Sequence, residues 1–312
     1  LGAPGHGSPG QGAAPVPKAG NGIKPPGKIA MKIIRHPREL QQLCMDWESK
    51  GRRIGLVPTM GYFHEGHLSL MDDCRKRCDK LVVSLFVNPT QFGPGEDLET
   101  YPRDEERDAR LAEEHGADVL FVPEPGGMYD PDHGTWIQVP EMAKGLCGAS
   151  RPDHFRGVCT VVCKLFMLAR PKVAVFGQKD WQQLAIIRRM VRDLNIPVEI
   201  TGHPIVREAD GLALSSRNVY LTEEERRNAP NIHVVLRSAA EKAKSGTTNA
   251  ETLKRFIRDE LAAKVPGGRP DYIEIVDPET LANVNEVRQK ALIAVAIFMS
   301  RARLIDNFSI EV

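Results

Sequence analysis

The feature that most constrains this chain is an alternation: short unbroken apolar runs recur between charged, amphipathic stretches from Met31 to about Ile200. Ile54-Gly-Leu-Val-Pro58 and Leu81-Val-Val-Ser-Leu-Phe-Val87 read as strands, the second buried on both faces, and 67–78 between them reads as a helix. A charged helix over 103–115, ended by Gly116, precedes strands over 118–122 and 172–176. Leu184, Ile187, Val191 and Leu194 then fall at helical spacing, and 198–200 follows Pro197 as a further strand. Strands separated by helices imply an α/β fold, a Rossmann-like doubly wound parallel sheet whose ligands collect at the carboxyl ends of its strands. After about Ile205 the text changes to a helix-rich segment, 223–264, followed by strand-like runs at 272–276, 291–298 and 308–310. The expected organisation is a Rossmann-like domain over 29–205 and a smaller α+β domain over 206–312 that closes on the site.

Composition excludes several classes. The 312 residues carry 42 Lys plus Arg against 41 Asp plus Glu, a formal charge of +1, with no block of like charge to track duplex phosphates. Nucleic acid is therefore not an expected partner. No apolar run approaches the roughly 20 residues of a membrane helix, so neither is a membrane. Six cysteines, none in a C-x-x-C pair, are too few for a disulfide scaffold and point to a reducing, cytoplasmic setting. Cys74 and Cys78, like Cys159 and Cys163, are expected to be small buried hydrophobes. Residues 1–28 hold eight Gly, six Pro, three Lys and no acid, and are expected to form a disordered tail. That stretch lacks the apolar centre of a secretory signal and the arginines of a mitochondrial presequence. Without its three lysines the remainder carries a charge of −2, and a small molecule is the expected ligand.

The most informative stretch is Pro58-Thr-Met-Gly-Tyr-Phe-His64-Glu-Gly-His67, between the first core strand and a helix. Glycines at 61 and 66 allow close approach of backbone to a phosphate, a helix start offers free N–H groups and its dipole, and two imidazoles supply mobile charge. His64 as a mere helix cap is the plain alternative. Zinc is disfavoured, because the metalloprotease helix needs H-E-x-x-H and these histidines stand three apart.

That stretch resembles the H-x-G-H signature of the nucleotidyltransferase superfamily, and in particular the pantothenate synthetase family. Further segments of that family appear in order: Val87-Asn-Pro-Thr-Gln91-Phe-Gly93, Tyr101-Pro-Arg103, His154-Phe-Arg-Gly157, Phe176-Gly-Gln-Lys179-Asp180-Trp-Gln-Gln183, and Arg207 through Ser215-Ser216-Arg217. The resemblance covers nearly all of 31–312. It implies ATP-dependent condensation of pantoate with β-alanine through an enzyme-bound pantoyl adenylate, releasing pyrophosphate and AMP, in a homodimer that uses Mg²⁺. It also implies that Gln91 and Gln183 hold pantoate, that Met60 helps form the wall, and that Gly177, Asp180 and Val206 border the nucleotide. Asp108 is the matching position for magnesium, although Arg107 stands where some relatives carry a carboxylate.

The residues support this chemistry on their own terms. Adenylation brings a carboxylate to the α-phosphorus of ATP while charge leaves on pyrophosphate, so catalysis is positioning plus cationic stabilisation. His64, His67, Lys179 and Arg217 are the expected cations, and Ser215 and Ser216 add hydroxyls for the phosphates. Pro58, Thr59, Met60, Gly61 and Leu214 complete the expected nucleotide site. Asn88, Gln91 and Gln183 offer neutral amides that suit a hydroxylated acid without burying another charge. Two rivals stand beside this reading: a nucleotidyltransferase acting on another small acceptor, which would need cations where the amides lie, and a non-enzymatic nucleotide-binding regulator.

Overall fold

The computed structural model describes Gly2 and residues 30–312, so the tail expected over 1–28 lies, Gly2 apart, outside the described residues. By their contacts Met31–Val312 form one compact unit. Its first part runs β1 (Lys32–Ile34), α1 (Pro37–Ser49), β2 (Ile54–Thr59), α2 (Glu65–Arg75), β3 (Lys80–Leu85), α3 (Glu105–Glu114) and β4 (Val119–Phe121). The short turns α4 (Pro125–Met128), α5 (Pro140–Ala143) and α6 (Cys147–Ser150) lead to α7 (His154–Ala169), β5 (Val173–Gly177), α8 (Trp181–Asp193) and β6 (Glu199–His203). Then come α9 (Glu223–Asn228), α10 (Asn231–Lys244), α11 (Ala250–Lys264), β7 (Arg269–Val276), β8 (Lys290–Phe298) and β9 (Arg303–Glu311).

The first six strands make one parallel sheet in the order β1-β4-β3-β2-β5-β6. The two-residue period of a strand sorts its side chains onto opposite faces. Leu56, Val82, Phe121, Ala174 and Phe176 pack with α1, α7 and α8, whereas Val57, Leu81, Val83, Leu120 and Val175 pack with α2 and α3. With both faces covered, the central strands need no polar positions and read as apolar runs. The last three strands form an antiparallel sheet, β7-β8-β9, whose Ile273, Ile275, Ile293 and Val295 pack on α10 and α11 around a core of their own. The fold is thus the expected parallel α/β sheet with a smaller α+β part. Strand β9 starts at Arg303, well before the expected 308, because buried Asp306 and Asn307 interrupt its apolar text.

Helix α7 carries no expectation from the sequence. Ten of its residues are buried, and the face left open mixes Cys163 and Met167 with Arg156 and Lys164, so the helical period is weakly marked in the text. Its Gly157 lets the helix close on the Pro89–Gln91 turn, since a Cβ there would stand 2.4 Å from Thr90 O.

The chain reverses direction across the sheet between β2 and β5, with β3 and β4 on one side and β6 on the other. Such a switch point is where open α/β sheets bind ligands. Pairing between β2 and β5 stops after Gly55↔Val173 and Leu56↔Ala174, whereas β2–β3 continues to Thr59↔Leu85 and β5–β6 to Gly177↔His203. The carboxyl halves of β2 and β5 therefore part and leave a crevice. Pro58 is tolerated in this central strand for the same reason. Thr59 O accepts from Phe86 N on the β3 side, so alternation turns Pro58 toward β5, where no ladder asks for the N–H it lacks.

Replacing Gly157 by Ala should cost about 1–3 kcal/mol, the usual penalty of overpacking. The check is the denaturant midpoint at constant m-value; an unchanged midpoint would contradict the close approach of α7 to Thr90.

Candidate active site

A cavity of about 230 Å³ occupies the crevice. Pro58, Thr59, Met60, His64 and His67 reach it from the β2–α2 connection, and Asn88 and Gln91 from the turn after β3. Gly177, Lys179, Asp180 and Gln183 come from β5 and the start of α8, and Val206, Leu214, Ser215, Ser216 and Arg217 from the segment after β6. Every expected site residue except Gly61 and Asp108 meets there. A larger cavity of about 550 Å³ adjoins it and shares Lys179, Asp180, Gln183, Ser215 and Arg217.

The histidine turn explains its own spacing. His64 is the N-cap of α2, and its Nδ1 accepts from Gly66 N at 3.1 Å. A Cβ on Gly66 would lie 2.8 Å from the His64 ring, so only glycine lets the imidazole fold back there. In return His67 Nδ1 accepts from His64 N at 3.3 Å, closing a reciprocal cap. The cap and functional readings of His64 are therefore one geometry. Each ring uses Nδ1 as acceptor, which leaves Nε2–H as the donor of a neutral imidazole.

Two expectations are corrected here. Burial, followed by the Lys179 charge, lowers the His64 pKa to about 4. Burial, then His64 and Lys179, holds His67 well below the ordinary imidazole value. Without ligand these groups are neutral donors at pH 7 rather than cations. Nor are the first N–H groups of α2 free: Gly66 N goes to the His64 ring and His67 N to His64 O at 2.7 Å. An anion would meet the helix end through the imidazoles that cap it.

Asp108 is the third correction. It is 0% exposed and does not line the cavity. Its Oδ2 accepts from Tyr62 N at 2.5 Å and its Oδ1 from Phe63 N at 2.8 Å, while Arg107 Nη2 donates to Phe63 O at 2.9 Å. Tyr62 has φ 53°, a left-handed conformation uncommon for a non-glycine residue, and the carboxylate holds it there. Burial pushes the Asp108 pKa up against the two N–H bonds and Arg107, which pull it down. Both oxygens are taken up by backbone, so Asp108 does not fit a magnesium ligand. Among the described residues no group of three or more His, Cys, Asp or Glu could hold a metal. Gly61 lies beneath the turn, its N donating to Thr59 Oγ1 at 3.2 Å.

The remaining side chains divide by whether their polar atoms are free. Lys179 has no carboxylate within 4.0 Å among the described residues, as a phosphate ligand requires. Arg217 is not free in this state: its Nε and Nη2 donate to Asp97 at 2.9 Å each, which keeps its pKa raised against burial. Its guanidinium also lies 5.8 Å from the Tyr101 ring. Ser215 Oγ caps the next turn by accepting from Arg217 N at 3.3 Å.

Among the amides, Asn88 lines the cavity with its side chain fully bonded within the fold. Its Nδ2 donates to Gln91 Oε1 at 3.1 Å and Gly157 O at 3.2 Å, and its Oδ1 accepts from Thr90 Oγ1 and Tyr129 OH, each at 2.9 Å. Gln91 keeps its NH₂ near only a thioether, Met60 Sδ at 3.1 Å. The Gln183 amide has no partner among the described residues. Sequence reasoning missed the apolar wall opposite, formed by Phe86, Phe176 and the α7 residues Val158, Val161, Val162 and Leu165. Only the missing α7 assignment would have placed it.

Two measurements check these assignments. Since the folded His64 pKa lies below the ordinary 6.5, folding favours the neutral ring; its stability contribution is complete above about 6.5 and is lost as pH falls toward about 4. Ring NMR of the free protein should give His64 a midpoint of about 4, and a midpoint near 6.5 would contradict the buried, neutral cap. Asp108→Asn sets an NH₂ against a backbone N–H and should cost about 1–3 kcal/mol of stability. The magnesium dependence of the rate should stay the same. A raised magnesium requirement at unchanged stability would make Asp108 a metal ligand after all.

Comparison with known proteins agrees with this geometry. The pantoate-beta-alanine ligase family profile matches residues 32–309. A pantothenate synthetase of Maridesulfovibrio salexigens is 60% identical over 282 residues, 90% of this chain and 100% of that protein. The crystal structure of a pantothenate synthetase from Thermus thermophilus superposes with a TM-score of 0.84 at 48% identity, covering 89% of this chain and 99% of the other. The Francisella tularensis pantoate-beta-alanine ligase, solved in complex with beta-gamma ATP and beta-alanine, gives a TM-score of 0.73 at 34% identity over 89% and 97%. The chain, with its paired-histidine crevice at the sheet's switch point, belongs to the pantoate–β-alanine ligase family.

Proposed function

We propose that the chain joins pantoate to β-alanine in two steps, using ATP to make an enzyme-bound pantoyl adenylate. The observation that carries this reading is the lining of one crevice, which brings imidazole, ammonium and hydroxyl donors together with neutral amides and an apolar wall. His64 and His67 Nε2–H, the Lys179 ammonium and the Ser215-Ser216-Arg217 turn receive the phosphates. Gly177, Asp180, Val206 and Leu214 border the rest of the nucleotide. Approach of an anion raises the histidine pKa values, so the rings gain charge in step with the phosphate they bind. Gln91 and Gln183 hold the carboxylate and hydroxyls of pantoate, and the α7 wall with Met60 takes its gem-dimethyl group.

In the first step a pantoate oxygen bonds to the α-phosphorus and the bond to the pyrophosphate oxygen breaks. The leaving charge develops beside Lys179, where a preformed donor stabilises it without reorganisation. In the second step the β-alanine amine attacks the acyl carbon and AMP departs. The adjoining larger cavity gives the amine its approach, because it meets the crevice at Lys179 and Gln183. No thiol is needed, and the six cysteines have no part in the reaction. Magnesium would accompany the nucleotide and would neutralise phosphate charge; no residue of the crevice is assigned to hold it and no step is routed through it. The acceptor end offers amides where a phosphate acceptor would require cations, which favours an acid over the substrates of other nucleotidyltransferases.

The reading includes a homodimer, to be checked by light scattering, and a cytoplasmic enzyme. Among the described residues no helix is long and apolar enough to cross a membrane.

Labelled pyrophosphate should exchange into ATP with pantoate present and β-alanine absent, and the full reaction should yield AMP. A strict requirement for β-alanine would replace the two-step route by a concerted one, and ADP as product would mean an acyl phosphate. Alanine at Lys179 should slow the exchange about 10²–10³-fold, the usual effect of removing one donor to developing charge. Gln91→Ala and Gln183→Ala should each weaken pantoate about tenfold to a hundredfold while leaving ATP affinity nearly intact. Loss for ATP alone would put the acid elsewhere.

A further inference from the structure

The small antiparallel sheet reaches the phosphate end of the crevice through two consecutive residues of β9. Asn307 is 6% exposed, and its Nδ2 donates to both Gln178 O and Lys179 O, each at 2.9 Å. One amide therefore holds the peptides on both sides of Lys179, in a turn that no other side chain among the described residues supports in this way. Its neighbour Asp306 is 5% exposed and takes Arg207 in a bidentate pair, Oδ2 from Nη1 at 2.7 Å and Oδ1 from Nη2 at 2.8 Å. Asp306 Oδ1 also accepts from Asn307 N at 2.8 Å, which ties the two anchors together. Arg207 Nη1 in turn donates to Gly211 O at 3.1 Å, inside the hairpin that leads to Ser215-Ser216-Arg217. Pairing of Asp306 with Val295 and of Asn307 with Ala294 fixes both residues midway along β9, the edge strand of the sheet.

We propose that Asn307 is a positioning residue for Lys179, and that Asp306 with Arg207 gives the Ser-Ser-Arg turn the same frame, so that β9 sets the lysine against the other phosphate ligands. The proposal rests on the reading that Lys179 contacts the phosphates. Physically, a four-carbon ammonium stem is flexible, and the only part of it the fold can place is its backbone. A turn at the end of a parallel strand has no ladder of its own beyond Gly177. The two carbonyls gripped by Asn307 supply the missing constraint, and a positional error of about 1 Å at such a group is enough to cost rate.

The test is a double-mutant cycle read by pyrophosphate exchange. Asn307→Asp keeps the shape but faces two carbonyls with an acceptor, and Asn307→Ala removes the donor without adding charge, for the case in which the first variant fails to fold. Each should slow exchange about tenfold to a hundredfold, with the apparent pantoate KM changed less than about threefold. Asn307→Asp in a Lys179→Ala background should add little to the loss already caused by Lys179→Ala, because both act through one group. Ser309→Ala, two residues along β9 and exposed, should behave as the unmodified protein. Additive losses, or a fall in thermal stability with wild-type kcat, would overturn the positioning role and leave Asn307 a structural residue. Unimpaired exchange in Lys179→Ala alone would overturn the underlying reading of the lysine, whatever Asn307 does.

Discussion

The early end of pairing between β2 and β5 is the constraint on which the rest of the structure depends. Two parallel strands that hydrogen-bonded along their full length would leave no room between Thr59 and Gly177. Because the ladder stops at Leu56↔Ala174, both strands end in turns that face one another across open space. Pro58 belongs to this break, as it has no N–H to offer a partner strand. The two turns then carry imidazoles after β2 and, after β5, an ammonium without a carboxylate partner and an amide without a hydrogen-bond partner among the described residues.

Holding those groups needs buried polar contacts rather than more apolar packing. Asp108 grips the backbone of Tyr62 and Phe63 from below, while His64 and His67 cap each other above. A buried carboxylate with two N–H donors tolerates burial where an unpaired one would not. The same economy governs the amides, where Asn88 is bonded to Gly157, Thr90, Tyr129 and Gln91, and the Gln91 NH₂ meets only the Met60 thioether. Arg217 is the exception among the cations of the crevice, because it is paired with Asp97.

Much of this was legible in the sequence, and what was not has physical causes. The parallel sheet was readable because strands covered on both faces must be apolar throughout. The lining of the crevice was expected from the histidine turn after β2 together with the family resemblance of the segments around Gln91, Lys179 and Ser215. Helix α7 was hidden because its open face carries Cys163 and Met167 beside Arg156 and Lys164, so apolar residues run nearly unbroken through its text. The charge state of the histidines was unreadable because it depends on burial that no local pattern records. Asp108 and Asn88 have the residue types of ligands, and only their hydrogen bonds reveal that they serve the backbone and Gln91. Asn307 lies far along the chain in a strand whose polar residues look like an interruption of the pattern.

Neutral donors beside a lysine with no carboxylate partner among the described residues suit a reaction in which charge appears only as it proceeds, and this is the central claim: a carboxylate attacks the α-phosphorus within the crevice. Its most direct test is a single complete turnover with pantoate labelled by heavy oxygen in the carboxylate, followed by mass spectrometry of the products. The account predicts one labelled oxygen in AMP, carried across by the acyl–phosphate bond of the adenylate. Label in inorganic phosphate or pyrophosphate, with none in AMP, would contradict it.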